Sequence, residues 1–467
     1  MKRLMFLLCL VIVSSAFAAE KEGVEVTIYN QNFGLVKDKR MLDFVQGIND
    51  IRFTDVAAAI EPTSVHFKSL SNPAGCVIQE QNYEYDLVSA DKLLRKYIDK
   101  KIKIVTKDDK TYEGILLSYD GDQVVISAAS SLSMVCRKDN IRDISFPELP
   151  EGLITKPTLM WQIANNKAGS QLTEVSYLTN SITWSADYVV VVDKDDKNID
   201  LSGWVTIDNR SGATYKDASL KLIAGEVHRA PREDMRREKR VYAAQALEMA
   251  GAPQFEERAF FEYHMYTLQR NTTVKDNQTK QIALLSANNV PVKKLFIFDP
   301  VDYYGWYWYN YEENQPKQQK VKVKIELVNS KQNNLGMPLP KGKIKVYKQD
   351  TDASLQFIGE DAIDHTPKDE KIKLYLGDAF DVVAERKKIN YRQGERWAEE
   401  SFEISLRNHK DSPIEVNVVE RMWRYANWKI TAKSHEFTKK DAQAIEFIVP
   451  VAKDAETKVT YTVKYWW

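Results

Sequence analysis

A two-residue rhythm constrains this chain more than any other feature. Apolar residues alternate with Lys, Glu or Thr along Glu25-Val26-Thr27-Ile28-Tyr29, Val321-Lys322-Val323-Lys324-Ile325 and Val459-Thr460-Tyr461-Thr462-Val463, with a continuous apolar version at Val189-Val190-Val191-Val192. Successive side chains of a strand point to opposite faces, so alternation buries one face and wets the other. Antiparallel sheets carry that pattern, whereas doubly wound folds read as unbroken apolar strands separated by amphipathic helices. Polar turns such as Lys107-Asp108-Asp109-Lys110 and Asp193-Lys194-Asp195-Asp196-Lys197-Asn198 separate the runs at the spacing of sandwiches and small barrels. The expected fold class is mainly β, built of antiparallel β-sandwich domains. The 43% hydrophobic content supplies a core, which excludes a wholly disordered chain. The 66 basic and 66 acidic residues cancel, which argues against a strongly basic nucleic-acid binder.

Lys2-Arg3, the apolar run from Leu4 to Val13 and Ala16-Phe17-Ala18 have the order of an export signal cleaved after Ala18. As a helix the ten apolar residues reach about 15 Å, half of a hydrocarbon core. A spanning anchor is therefore not expected, nor any transmembrane span in the mature chain. Without Lys2 and Arg3 the 66/66 balance becomes 64 against 66, a formal charge of −2. Export changes the meaning of Cys76 and Cys136, the two cysteines left after cleavage. In an oxidising compartment they form a disulfide or stay as two buried thiols, and both readings stand at this level.

One helix is legible over Ser89 to Asp99, where Ala90, Leu93, Leu94, Tyr97 and Ile98 share a face behind Ser89 as cap. Five strand-like runs follow, at Ile102–Thr106, Tyr112–Tyr119, Gln123–Ser127, Leu132–Cys136 and Ile141–Phe146. A helix followed by five short strands resembles an Sm-like or SH3-like small barrel. The stretch Asp120-Gly121-Asp122-Gln123 lacks the Asn that Sm proteins use on RNA, so the resemblance implies the fold and no nucleic-acid partner. Pro147, Pro150 and Pro157 then mark a linker.

A second resemblance covers roughly residues 160–467. Trp184-Ser185-Ala186-Asp187-Tyr188, Gly203-Trp204-Val205-Thr206, Asn209-Arg210-Ser211-Gly212 and Ala224-Gly225-Glu226-Val227 come first, then Phe261-Glu262-Tyr263-His264-Met265-Tyr266, Gly359-Glu360-Asp361, His365-Thr366-Pro367 and Leu376-Gly377-Asp378. Together they resemble the DUF4139 family, best known from proteins labelled mucoidy inhibitor A. The run from Val26-Thr27-Ile28-Tyr29-Asn30 to Pro62-Thr63-Ser64-Val65 is similar to the DUF4140-like β-domain that precedes it in such proteins. Many relatives carry a coiled coil where this chain has the barrel-like segment. The resemblance implies an envelope protein of a bacterium and transfers no catalytic residue. The expected division is a signal peptide (1–18), an N-terminal β-domain (19–86), the small barrel (87–148), a linker (149–157) and a sandwich region (158–467) with an irregular insertion at 229–258.

Reactive constellations are missing: there is no HExxH, paired CxxC, GxSxG or phosphate-binding glycine loop. The six histidines have no metal-ligand spacing, so neither a metal nor a cofactor is expected. His264 and His365 can meet only through folding. Asp193 to Asn198 has the oxygen content of a calcium loop without its glycine or closing glutamate, and reads as a hairpin turn. Glu226, Glu360 and Asp361 are the carboxylates available to a glycosidic hydrolase. The densest aromatic run, with Tyr303, Tyr304, Trp306, Tyr307, Trp308 and Tyr309, suits sugar stacking, a protein partner or peripheral membrane contact. Its plainer reading is a half-buried strand. The expected function is an exported noncatalytic protein binding an envelope glycan or protein; the alternative is a polymer hydrolase using paired carboxylates. Intact-mass analysis of the protein secreted by its host is expected to show a chain beginning at Ala19, and an uncut Met1 terminus contradicts the export reading.

Overall fold

A computed structural model describes residues 21–85, 89–128, 131–148, 150, 154–229, 254–300, 317–422, 424–425 and 427–467. Strands make up 68% of it and helix 4%, so strand pairing rather than helix packing builds its layers. Among the described residues the strands form five sheets. An eight-stranded sheet has the order Phe255–Phe260, Tyr263–Leu268, Tyr215–Ala224, Gly23–Tyr29, Phe33–Phe44, Gly169–Asn180, His66–Ser69, with Thr272–Val274 branching from Tyr215–Ala224. A three-stranded sheet places Thr158–Asn165 between Gly47–Thr54 and Cys76–Glu84. A five-stranded sheet runs Gln278–Pro291, Asn198–Asn209, Ile182–Val192, Gly342–Gln349, Leu355–Ile363. Pairing is antiparallel except where Gly23–Tyr29 meets Tyr215–Ala224, Ile182–Val192 meets Gly342–Gln349, and Lys293–Phe298 meets Ile414–Arg421.

The alternation sorts these strands as expected. Along Ile182–Val192 every second residue from Ile182 is buried, and Trp161, Tyr177, Tyr188 and Tyr266 join one apolar core shared by these three sheets and by Ile325, Leu327, Ile372 and Leu374 of a nine-stranded one. Ring contacts show how the layers meet: Phe53 and Phe67 lie 5.7 and 5.2 Å from Trp161, and Trp184 lies 6.2 Å from Tyr266.

This sharing alters the expected division of the chain. Residues 19–86 make no sheet of their own: their strands pair with Tyr215–Ala224, Gly169–Asn180 and Thr158–Asn165. The N-terminal segment is too short to cover its own apolar faces and completes sheets that the later chain begins. At the end of the expected irregular insertion, Phe255–Phe260 is a strand against Tyr263–Leu268. Residues 1–20 and 230–253 lie outside the described residues.

The small domain interrupts a hairpin. Glu84 pairs with Thr158 at the end of two antiparallel strands, so residues 85–157 stand where a hairpin loop would. Its helix spans Ala90–Lys96, with the Ser89 hydroxyl accepting from Lys92 N. It ends before Asp99, whose φ of 63° leaves the helical region. The strands Lys101–Thr106, Thr111–Tyr119, Gln123–Ala128, Ser131–Cys136 and Ile141–Ser145 fall where the sequence placed them, around their own core of Leu94, Tyr97, Ile102, Ile104 and Leu116. The expected barrel does not close. The order is Ile141–Ser145, Lys101–Thr106, Thr111–Tyr119, Gln123–Ala128, Ser131–Cys136, because the helical turn Arg137–Asn140 carries the chain past the sheet's end and the last strand pairs only with the first. Cys76 and Cys136 are both free. They belong to different sheets, and no disulfide joins them in this structure; Cys76 sits within 3.2 Å of Asn165 Oδ1 and Gln171 Oε1, while Cys136 is exposed rather than buried.

The nine-stranded sheet has the order Asn427–Lys433, Ala455–Trp466, Trp397–Asn408, Lys371–Gly394, Lys317–Val328, Lys293–Phe298, Ile414–Arg421, Ala444–Val451, Phe437–Lys439. Phe447 and Tyr461 stand on strands six places apart, roughly 29 Å in a flat sheet, yet their rings are 5.8 Å apart. The sheet therefore folds over on itself, enclosing Phe402, Ile404, Val418, Phe447 and Val463. Inside lies a charged group. Glu420, 1% exposed, receives Arg386 Nε and Nη2 at 2.9–3.1 Å and the Tyr461 hydroxyl at 2.5 Å, and the Arg386 guanidinium covers the Phe402 ring at 3.8 Å. Burial and the neighbouring Glu420 charge push the Tyr461 phenol well above its ordinary value, keeping it a donor. Removing one member strands the other charge in an apolar layer. Glu420→Ala and Arg386→Ala are each expected to cost about 3–5 kcal/mol in chemical denaturation, and Glu420→Leu with Arg386→Met to recover most of it; a single-variant loss under about 1 kcal/mol contradicts this account.

Candidate functional site

Parallel pairing of Gly23–Tyr29 with Tyr215–Ala224 sets Ile223 opposite Tyr29. Both strands leave the sheet together, so the turn Tyr29-Asn30-Gln31-Asn32 lies beside Ala224-Gly225-Glu226-Val227. Antiparallel pairing on the other side brings His264 opposite Ala224. In the five-stranded sheet Gly342 pairs with Ile363, which places Lys341 beside the chain that continues to His365. Stretches far apart in sequence thus converge on one accessible polar cluster.

His365 shows how tightly it is wired. Its Nδ1 accepts from Lys341 N at 3.1 Å, and its Nε2 lies 3.4 Å from the Asn30 amide. With Nδ1 accepting, the neutral ring carries its proton on Nε2. Asn30 must then present Oδ1 to that proton, not the amide nitrogen that the assigned orientation puts there. The turned amide also gives a donor to the oxygen that otherwise lies buried without one. Partial burial and the Lys341 charge hold the imidazole below its ordinary range, opposed by Asp364 and Glu226, with His264 adding to the depression. His264 is held in its turn, with Nδ1 2.7 Å from Glu257 Oε1. That carboxylate fixes the donor on Nδ1 and leaves Nε2 free to accept.

Ring faces border the cluster. Tyr29 and Phe33 stack at 4.2 Å, and the Arg229 guanidinium lies 4.5 Å from the Phe33 ring centre while donating to Glu61 at 2.7 Å. Val227 N donates to Gln31 Oε1 at 3.0 Å, tying the departing strand to the turn. Burial and nearby Tyr263 raise the Tyr29 phenol above its ordinary value. Gly225 is required here: its φ is +137°, and a Cβ would stand 2.4 Å from Tyr263 Cδ1.

Other sequence candidates fall elsewhere. Glu360 lies on the outer strand Leu355–Ile363 and pairs with Lys343 at 3.5 Å, and Asp361 accepts from Tyr375 N at 2.7 Å; neither is among the charges that act on His365, as Glu226 is. Asp193 to Asn198 is a hairpin turn, closed by Asp193 carboxylate bonds to Lys197 N and Asn198 N. The ammonium groups of Lys294 and Lys348, at 2.8 and 2.5 Å from Asp196, stand where a cation would. Trp184 is core, donating to Ile223 O. Tyr303, Tyr304, Trp306, Tyr307, Trp308 and Tyr309 lie outside the described residues. Among the described residues no group of three or more His, Cys, Asp or Glu is arranged to hold a metal. Asn30, Lys341 and Glu257 were not legible as site residues; Asn30 alone carried a signal, as a polar residue closing an alternating run.

The family described as a domain of unknown function, DUF4139, matches residues 173–467. No curated protein matches the chain. The cluster draws Glu226, His264 and His365 from the matched region and Asn30 from before it.

In an NMR titration His365 is expected to protonate below the ordinary histidine value of about 6.5. Lys341→Gln should raise that midpoint and Glu226→Gln lower it further. A depressed histidine favours the folded state above the unfolded-chain value and loses that contribution as pH falls through the folded one, so this site loosens on acidification. A His365 midpoint at or above 6.5 contradicts the arrangement.

Proposed function

The chain belongs to the DUF4139 family, and we propose that it is an exported, noncatalytic protein of a bacterial envelope. It acts in the periplasm or at the cell surface by binding or organising a glycan or protein partner. The convergence of Asn30, Glu226, His264 and His365 on one accessible cluster carries this reading. Grouped donors and acceptors beside flat rings suit sugar hydroxyls and amides. The run from Tyr303 to Tyr309, which lies in sequence between Lys293–Phe298 and Lys317–Val328, is a second candidate contact. Its Tyr and Trp tips also suit peripheral contact with a membrane surface. Among the described residues no helix is long and apolar enough to cross a membrane.

We further infer that the chain is related to mucoidy inhibitor A-like proteins, with a DUF4140-like N-terminal part and an Sm-like insertion. The insertion's strand order, with the fifth strand beside the first and one capped helix ahead, supports the last of these. A second reading keeps the hydrolase: the His264–Glu257 pair beside Glu226 has the parts of an acid–base centre.

Retention on peptidoglycan and envelope polysaccharide separates the two readings. Binding is expected to fall in Trp306→Ala with Trp308→Ala, and in Asn30→Ala with His365→Ala, while each variant still unfolds cooperatively. Equal retention by all variants rejects the binding reading. Soluble fragments released by the wild-type protein and lost in Glu226→Gln replace it with hydrolysis.

A further inference from the structure

Open sheet edges invite pairing, and proteins blunt them with charges, bulges or short strands. Of the eleven strands with one sheet partner among the described residues, nine carry at least one charged residue: Lys68, Arg52, Glu80, Lys280, Glu360, Lys429 and Lys439 lie on seven, and Glu256 and Arg142 on two more. Two carry none: Thr272-Thr273-Val274, three residues of which Thr272 and Val274 are buried, and the longer, largely exposed Ser131-Leu132-Ser133-Met134-Val135-Cys136. The contrast is sharpest within the small domain. Its opposite end strand, Ile141–Ser145, has exposed Arg142 and Asp143 and a register shift between Ile141 and Asp143. Ser131–Cys136 pairs residue for residue with Gln123–Ala128 and has no such irregularity. Its outer face bears Leu132 and Met134, 70% and 66% exposed, and Cys136.

We propose that this edge joins a second copy of the chain, making one continuous ten-stranded antiparallel sheet about a two-fold axis. Symmetry limits the register. A two-fold axis perpendicular to the sheet keeps each face on its own side, so only residues of like parity can pair. With Met134 on the axis, it faces Met134 of the second copy, and Leu132 faces Cys136 of that copy. On the inner face Ser133 meets Val135. Every pair is small or apolar, and no charge is buried or opposed. Edges bearing Arg or Glu would oppose like or unpaired charges in most such registers, which this strand avoids. The position of the domain helps, because as a hairpin insertion with its own core it needs no rearrangement of the main sheets to pair.

The mature chain with Cys136→Ser is the background for the test. Residues facing each other in an antiparallel pair have Cα atoms about 4.5–5.5 Å apart, within the roughly 4.4–6.8 Å of a disulfide. Met134→Cys is expected to give a covalent dimer on mild oxidation, reversed by reductant. Ile115→Cys, two strands away on the same face, should give none. Sedimentation should show a dimer that Met134→Lys converts to monomer without lowering the unfolding midpoint, since Met134 is a surface residue. Sedimentation as a monomer at every concentration overturns the proposal. So does cross-linking of Ile115→Cys as readily as Met134→Cys, or a monomer that pairs this strand only with an unrelated peptide.

Discussion

The parallel pairing of Gly23–Tyr29 with Tyr215–Ala224 is the contact on which the rest of the architecture depends. It joins strands almost two hundred residues apart at the centre of the eight-stranded sheet, with Val26 and Ile28 beside Leu220 and Leu222 in the common core. Because the two strands point the same way, their ends leave the sheet side by side. The Asn30 turn and the Gly225 bend are neighbours for that reason. Antiparallel pairing would have sent them to opposite ends and left His264 and His365 without Asn30.

Charges do different work in the two halves of the molecule. On the eight-stranded sheet Lys221 and Lys37 flank Glu25, and Lys39 and Lys68 flank Glu174, at 2.6–3.5 Å. Such partly exposed pairs are each worth roughly 0–1 kcal/mol, so they set which face is wet more than they hold the sheet. The Glu420 group inside the folded-over sheet is the reverse case. Its ions have left water, and only the full set of partners compensates their desolvation. That makes the group a weak source of net stability and a strong discriminator between registers. A shift of one residue along Ile414–Arg421 would turn Glu420 away from Arg386 and Tyr461.

The insertion between Glu84 and Thr158 explains how one chain accommodates a separate small core without disturbing the shared one. A hairpin loop tolerates a folded domain when its ends are close together, since little loop-closure entropy is added. The paired ends supply that closeness. The small sheet keeps two free edges, one guarded by charge and one bare, and this asymmetry distinguishes pairing with a like edge from indiscriminate association.

Local chemistry was enough for much of this. The alternation marked the strands, Ser89 marked its helix, the five runs of the small domain appeared within a residue or two of their ends, and the Asp193 turn was separable from a calcium loop, because side-chain periodicity, capping and turn formation depend on residues a few positions apart. The joint core of residues 19–86 with the later strands, the open edges of the small sheet, the separation of Cys76 from Cys136, and the meeting of Asn30, Lys341, His264 and His365 were decided only in three dimensions. Strand partners are chosen by burial of faces made from distant segments, and a strand's own pattern shows that one face must be covered without showing what covers it.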